Sequence, residues 1–229
     1  MIRGVIFDLF HTLTGLESEW SELPGTYKVL GLDRRAWDEA LTMKSHWRVI
    51  GELRDPYEIV RRLVHQVDPS IPDERNREAV PIRIQRFRDT LHGIPSRNVE
   101  VLRTLRQAGL RVGLLSNADA LEIASWPTCP AAGAFDVEIF SCDVGMAKPE
   151  PGIYRKCLSD MGLRAGECVF VGDGGSNELV GAKDVGLTTV FISGIIQELW
   201  PERVAPRRAV ADHHIVHLPE ILKVPGLIA

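Results

Sequence analysis

The pattern of hydrophobic and polar positions divides the chain into segments of two kinds. Residues 3–7 form a short apolar run that stops at a carboxylate, Asp8, which is typical of a strand buried on both faces. From residue 16 to about residue 91, apolar positions recur at helical spacing instead. One such helical face would carry Ile59, Val60, Leu63, Val64 and Val67. Prolines at positions 56, 69, 72 and 81 punctuate this region, so the pattern predicts several helices rather than one.

Strand and helix patterns alternate after residue 92. The predicted strands are residues 111–115, 137–140, 168–171 and 188–192. The predicted helices are residues 99–107, 118–125, 151–161 and 177–185. This alternation is typical of a parallel sheet covered by helices on both faces. We therefore expect an α/β fold with a Rossmann-like three-layer core of residues 1–15 and 93–229. A helical cap domain, residues 16–92, would be inserted after the first strand.

The net charge and the lengths of the apolar runs disfavour two classes of partner, nucleic acids and membranes. The 229-residue chain has a net charge of −4, whereas a protein that binds nucleic acid needs clustered Lys and Arg. No apolar run approaches the roughly 20 residues that span a bilayer. We therefore expect a small-molecule substrate, with no nucleic-acid or membrane partner, and a monomer or homodimer.

The cysteines favour a reducing compartment. Cys129, Cys142, Cys157 and Cys168 form no C-x-x-C pair, which disfavours a zinc ribbon or a redox pair. In a chain of this length we expect them to be buried free thiols. No signal-peptide pattern precedes the first strand, so the expected location is the cytoplasm.

Polar segments that carry chemistry follow four of the predicted strands. Asp8 comes after the first, and "SNAD", residues 116–119, comes after the second. Lys148 lies in "GMAKPEP" beyond the next strand, and Asp173 lies in "GDGGSNE" after the fourth. In open parallel sheets, ligands bind beyond the carboxyl ends of the strands. We therefore expect these side chains to converge on one edge of the sheet.

These four segments, in this order and with a helical insertion after the first, resemble the haloacid dehalogenase superfamily. The resemblance covers the whole chain. The first motif, F-D-x-x-x-T-L, is modestly specific alone, whereas the four together are strong. The superfamily is a large group of hydrolases dominated by phosphatases, so the resemblance implies a hydrolase.

The resemblance implies covalent catalysis centred on Asp8. The catalytic residues that it implies are Asp8, Thr12, Ser116, Asn117 and Lys148. Asp8 would be the nucleophile that forms an aspartyl intermediate. Ser116 would hydrogen-bond the transferring group, with help from the backbone amide near Asn117, while Thr12 holds the same region in place. Lys148 would neutralise charge on Asp8 and on the phosphoryl group.

The resemblance also implies a Mg²⁺ cofactor. Its ligands would be Asp8, Asp173 and the backbone carbonyl of Phe10. A hard ion with oxygen ligands suits a phosphate substrate. Glu178 stands where relatives often carry a second aspartate. It would be either a carboxylate in the surroundings of the ion or an acid of the first helical turn, favoured by the helix dipole.

Phe10 departs from the family pattern. Most phosphatases of the family carry a second aspartate at this place, which protonates the leaving oxygen and later activates water. A phenylalanine side chain cannot transfer a proton, although its backbone carbonyl can still bind metal. The expected function is therefore a Mg²⁺-dependent phosphatase that acts on a small phosphorylated metabolite through an aspartyl-phosphate. Its general acid would be water, the substrate or a cap residue; His11, whose imidazole can carry a proton, is a further candidate.

Three alternatives remain open. A 2-haloacid dehalogenase needs no general acid, and dehalogenases of the family have a tyrosine in place of Phe10, but they lack the equivalent of Asp173. A phosphonoacetaldehyde hydrolase would use a cap lysine, Lys28 or Lys44, as a Schiff base. A non-catalytic protein would bind a phospho-ligand without turning it over. The cap residues expected to meet a substrate are Arg34, Arg35, His46, Trp47 and Arg48.

Overall fold

A parallel sheet forms the centre of the molecule. The structure is a computed structural model that describes residues 1–16 and 21–227. Within these residues the sheet has six strands in the order β3-β2-β1-β4-β5-β6, and each neighbouring pair is parallel. The strands are β1 (Gly4–Phe7), β2 (Arg111–Ser116), β3 (Val137–Phe140), β4 (Cys168–Gly172), β5 (Thr188–Ile192) and β6 (His213–Ile215). The central strands β1 and β4 are buried along their whole length, as their continuous apolar sequences predict.

Helices cover both faces of this sheet. After residue 92 they are α6 (Ser96–Gln107), α7 (Ser141–Val144), α8 (Pro151–Met161), α9 (Glu178–Asp184), α10 (Gly194–Leu199) and α11 (Val204–Val210). One apolar cluster joins α6 to the sheet, and a second joins α8 and α9 to the opposite face. The predicted α/β fold with three layers is thereby confirmed. No helix in the described ranges is long and apolar enough to cross a bilayer.

Five helices lie between β1 and α6 in the described part of the chain, and we call them the cap helices. They are α1 (Thr26–Leu30), α2 (Arg34–Met43), α3 (His46–Val49), α4 (Pro56–Val67) and α5 (Asp73–His92). They pack around one apolar cluster, which also includes Leu121 of the turn after β2 and to which α4 contributes the predicted face with Ile59 and Leu63. The division into a core of residues 1–15 and 93–229 and a cap of residues 16–92 remains a prediction. Residues 17–20 of the predicted cap and residues 228–229 of the predicted core lie outside the described residues.

The prediction of several helices in residues 16–91 is confirmed in the described residues, although Pro81 lies inside α5, where Ile84 and Phe87 pack against the cap cluster. One local prediction was wrong. Residues 118–125, predicted to be a helix, instead form turns at 120–125 with no regular structure at 118–119. Their backbone N–H groups at Asp119 and Glu122 bond to each other's carboxylates, at 3.0 and 2.9 Å, which gives this segment local alternatives to a helical ladder.

Candidate active site

The carboxyl ends of β2, β1 and β4 bring the predicted site residues together. Asp8 directly follows β1, Ser116 ends β2, and Asp173 directly follows β4. Because β1 lies between the other two strands, these three residues occupy neighbouring positions on one edge of the sheet. Lys148 reaches the same edge from the loop between α7 and α8.

A buried hydrogen-bond network is built around Asp8. Thr12 Oγ1 donates to Asp8 Oδ2 at 3.0 Å, and Lys148 Nζ donates to Asp8 Oδ1 at 2.6 Å. Lys148 Nζ also donates to Glu178 Oε2 at 2.5 Å, so one ammonium joins two carboxylates. The side chain of Lys148 is only 2% exposed, which removes water that would otherwise weaken these pairs.

Asn117 holds the backbone of Lys148 in a two-way clamp. Its Nδ2 donates to the Lys148 carbonyl at 2.8 Å, and its Oδ1 accepts from the Lys148 N–H at 2.8 Å. Two bonds to one residue fix both the distance and the direction of its backbone. The side chain of Asn117 therefore fixes the backbone position from which the Lys148 side chain extends to its ammonium group.

Burial governs the electrostatics of this network. It raises the pKa of Asp8 and raises that of Glu178 well above its usual range, while Lys148 opposes both shifts. Burial alone would lower the pKa of Lys148, but the carboxylates of Asp8 and Glu178 raise it above its ordinary value. Lys148 is therefore held as an ammonium, and it is the principal counter-charge for the nucleophile candidate.

Three buried carboxylates form a cluster that fits a cation. Oxygen atoms of Asp8, Asp173 and Glu178 lie within 4.8 Å of one another. Every donor atom in this set is a carboxylate oxygen, the type that hard divalent ions prefer. A single ammonium, that of Lys148, bridges only two of these carboxylates. Glu178 is more than an acid of a first helical turn, because its carboxylate points into the site.

Asp173 has partners that no sequence motif indicates. Its Oδ1 accepts from the Gly175 N–H at 2.7 Å, and His11 Nδ1 lies 3.7 Å from its Oδ2. Arg207 on α11 donates to the Asp173 carbonyl at 2.7 Å and to Oδ2 at 3.3 Å. Burial works to raise the pKa of Asp173, but these contacts lower it below its ordinary value. No sequence signal indicated Arg207, because it lies outside every motif.

Ser116 and Phe10 differ in what they offer a ligand. Ser116 is fully buried, and its Oγ has no hydrogen-bond partner among the described residues. A buried hydroxyl without a partner is costly, so it is available to a bound acceptor. The Phe10 ring instead packs edge-on against Phe87 of α5, with ring centroids 5.6 Å apart. The Phe10 side chain therefore supplies no proton to a ligand.

A cavity of about 160 Å³ lies over the network. Its lining residues are Asp8, Phe10, His11, Asn117, Lys148, Asp173, Gly175, Ser176 and Glu178. No described cap residue is among them, and Lys28 and Lys44 are absent as well. Arg48, expected to meet a substrate, instead pairs with Asp119 and Glu122 at 2.7 and 2.8 Å.

Comparison with known proteins identifies relatives along most of the chain. The sequence model of the haloacid dehalogenase-like hydrolase family matches residues 2–186. The glyceraldehyde 3-phosphate phosphatase of Methanocaldococcus jannaschii is 28% identical over 207 residues, which are 84% of this chain and 85% of that protein.

Solved structures share the fold. An L-2-haloacid dehalogenase matches with a TM-score of 0.67 and 23% identity, over 97% of each chain. A member of the same family from Bacteroides thetaiotaomicron, solved with magnesium and inorganic phosphate, matches with a TM-score of 0.61 and 21% identity. That match covers 84% of this chain and 94% of the other. Because the family match runs from β1 to α9 and the parallel sheet agrees with these structures, this chain belongs to the haloacid dehalogenase-like hydrolases.

Proposed function

We propose that this hydrolase is a Mg²⁺-dependent phosphatase that acts on a small phosphorylated metabolite through an aspartyl-phosphate on Asp8. The observation that carries the proposal is the bridge from Lys148 to Asp8 and Glu178, beside Asp173, at the base of the cavity. This arrangement combines a nucleophile, a fixed positive charge and oxygen ligands for a cation. The phosphatase relative from Methanocaldococcus jannaschii supports the same class of substrate.

In the first step, a carboxylate oxygen of Asp8 attacks the phosphorus atom. The bond from phosphorus to the ester oxygen breaks as the bond from Asp8 to phosphorus forms, and the ester oxygen leaves with the electron pair. Thr12 holds the other carboxylate oxygen in place through its 3.0 Å hydrogen bond. Lys148 stabilises the negative charge that passes from Asp8 to the phosphoryl group, and Ser116 Oγ donates a hydrogen bond to a phosphoryl oxygen.

In the second step, water attacks the phosphorus of the aspartyl-phosphate. The bond from phosphorus to the Asp8 oxygen breaks as the bond from the water oxygen to phosphorus forms, and the Asp8 carboxylate is restored. One proton of the water passes to the departed ester oxygen, and the other stays with inorganic phosphate. Asp8, Asp173 and the carbonyl of Phe10 would hold Mg²⁺, with Glu178 nearby. When bound, the ion supplies positive charge that polarises the phosphoryl group. The buried cluster of three carboxylates supports this assignment, because their mutual repulsion is relieved by a divalent cation.

Phe10 makes protonation of the leaving group the slow part of this reaction. General acid catalysis typically contributes about 10²- to 10⁴-fold in rate. An aryl oxide leaves readily without a proton, whereas an alkoxide does not. We therefore expect a phosphatase that favours esters with good leaving groups.

A substrate panel tests the proposal. Phosphate esters, 2-haloacids and phosphonoacetaldehyde are assayed with Mg²⁺ and with excess EDTA. Release of inorganic phosphate from p-nitrophenyl phosphate only with Mg²⁺ is the expected result. Binding of phosphate esters without turnover would instead indicate a non-catalytic phospho-ligand protein.

One observation favours a second candidate, a 2-haloacid dehalogenase. The edge contact between Phe10 and Phe87 gives the site an apolar wall, and halide needs no proton to leave. Asp8 would then attack carbon, halide would depart, and water would cleave the resulting ester. Metal-independent halide release in the same panel, with no phosphate release, would establish this candidate and exclude the phosphatase.

A further inference from the structure

A buried cluster of four charges joins the cap helices to the turn that follows β2. Arg48 of α3 donates from Nη1 to Asp119 Oδ2 at 2.7 Å and to Glu122 Oε1 at 2.8 Å. Arg83 of α5 donates to Glu122 Oε1 at 2.9 Å. None of the four side chains is more than 10% exposed. Two cations therefore balance two anions in a region without solvent.

The other nitrogen atoms of the Arg48 guanidinium also make hydrogen bonds. Arg48 Nε donates to Ser45 Oγ at 3.0 Å, and Nη2 donates to the Leu41 carbonyl at 3.3 Å. Its guanidinium is therefore held by the cap on one side and by the turn on the other. A planar guanidinium held in this way transmits position more rigidly than a flexible ammonium would.

The turn leads directly into the candidate active site. Asn117 precedes Asp119 by two residues and clamps the backbone of Lys148 through two 2.8 Å hydrogen bonds. Lys148 in turn donates to the nucleophile candidate, Asp8. A continuous series of short contacts thus runs from Arg48 to the reacting carboxylate.

Arg83 provides a second route to the cavity. Its guanidinium carbon lies 4.8 Å from the ring centroid of Phe87, and Phe87 meets Phe10 edge-on. Phe10 and Asn117 both line the cavity. None of the four members of the cluster lines the cavity, but the cluster is connected to two lining residues, to Phe10 through Phe87 and to Asn117 through the backbone.

We propose that Arg48 is a positioning residue, which holds the turn at Asp119 and Glu122 so that Asn117 places Lys148 against Asp8. The proposal rests on the proposed function, since it assigns Lys148 a role in phosphoryl transfer. Arg48 acts through other residues and does not touch the substrate. Removing it leaves the fold but loosens the placement of Lys148, and the maximal rate falls more than substrate affinity does.

Two arginine variants test positioning against simple attachment of the cap. Arg48→Met removes the buried contact, and Arg54→Met is the matched control. Arg54 also joins cap to core, since it donates to the Cys142 carbonyl at 2.7 Å and to Asp143 at 2.6 Å, but it makes no hydrogen bond with the described residues of the turn that follows Asn117. The readouts are kcat and KM for p-nitrophenyl phosphate, and the affinity for inorganic phosphate by calorimetry.

Arg48→Met should lower kcat by about 10- to 100-fold, because a displacement near 1 Å at a reacting group has effects of that size. Its KM should change by less than about threefold, and phosphate should bind more weakly. Arg54→Met should keep wild-type kcat. Equal losses in both variants, or no loss in Arg48→Met, would overturn the proposal. If the wild type does not hydrolyse the ester, the proposed function fails, and unchanged phosphate affinity in Arg48→Met would then overturn the positioning role.

The double variant Arg48→Met/Glu122→Gln separates stability from positioning. Arg48→Met alone leaves an uncompensated buried carboxylate and should lower Tm, whereas the double variant restores the charge balance with Arg83 and Asp119. We expect Tm to recover while kcat stays low, because the contact from the cap to the turn is still missing. Recovery of kcat together with Tm would show that Arg48 acts on stability alone.

Discussion

Asp8 is buried, and each of its carboxylate oxygens has a donor. Thr12 donates to one oxygen and Lys148 to the other, so the side chain is fixed in a single orientation. Orientation of this kind places a nucleophile for in-line attack before the substrate arrives. An asparagine could accept from Lys148 with its Oδ1 and donate from Nδ2 to the Thr12 hydroxyl, which can also accept, so the chemistry of this residue is separable from its structural role.

Replacement of Asp8 by asparagine should abolish turnover and leave the fold intact. An amide is a poor nucleophile, so kcat should fall to less than about a tenth of wild type, a loss of more than roughly 1.4 kcal/mol in the barrier. Asp160→Asn, which alters an exposed ion pair with Lys156, is the matched control and should keep wild-type kcat. Activity above a tenth in Asp8→Asn, with the far-UV spectrum unchanged, would disprove the nucleophile assignment.

Phe10 should determine which leaving groups the enzyme accepts. Phe10→Asp supplies an acid, so the rate at which an alkyl phosphate is hydrolysed should rise, relative to the rate for p-nitrophenyl phosphate, by up to about 10²-fold. Phe10→Leu is the control, because it keeps an apolar side chain and should leave the ratio of the two rates unchanged. If the wild type already hydrolyses both esters at equal rates, a different group supplies the proton.

The loop between β4 and α9 is the element that assembles the acidic cluster. Glu178 Oε1 accepts from the Gly174 N–H at 3.0 Å, which turns the carboxylate back over the end of β4. A Cβ at Gly172 would collide with this same Oε1, and the Phe170 ring confines it from the other side. The absence of a side chain at Gly172 therefore gives Glu178 room to reach Lys148.

Gly172→Ala should disconnect Glu178 from Lys148. The added methyl group displaces the carboxylate, and kcat should fall by about 10-fold or more, since placement of the ammonium is disturbed. Gly166→Ala is the matched control, because a Cβ there meets no heavy atom within 4 Å. Wild-type kcat in Gly172→Ala would show that contact with Glu178 is dispensable.

Sequence patterns predict the strands and helices well where the hydrophobic periodicity and the motifs agree. The strands 137–140 and 188–192 and the helix 151–161 have the predicted bounds. The turn at residues 118–125 was missed because its apolar spacing is helical, whereas its conformation depends on carboxylates that pair with Arg48 across the fold. Arg207 was missed for the same reason, since contacts over long sequence distances leave no local pattern.

At the scale of the whole molecule, the acidic cluster should make stability depend on Mg²⁺. An ion that binds only the folded state adds about 2.7 kcal/mol at a hundred times its Kd, which corresponds to a rise in Tm of roughly 5 to 10 °C for a chain of this size. Differential scanning calorimetry of EDTA-treated protein, with and without MgCl₂, measures the rise. Asp173→Ala should remove it, and calorimetric titration should then detect no Mg²⁺ heat. A rise in Tm of equal size in Asp173→Ala would show that Mg²⁺ binds at a site that does not include Asp173.

The position of β1 in the sheet has a consequence for biosynthesis. Gly4 pairs with Arg111 on one side and with Cys168 on the other, so β1 gains both neighbours only after β4 has been synthesised. Its apolar residues Val5, Ile6 and Phe7 emerge from the ribosome long before either partner exists. Pairing over such sequence distances is slow, and unpaired apolar strands are prone to aggregate. Asp8, the proposed nucleophile, therefore follows a strand whose apolar residues stay without one neighbour, and prone to aggregate, until β4 has been synthesised.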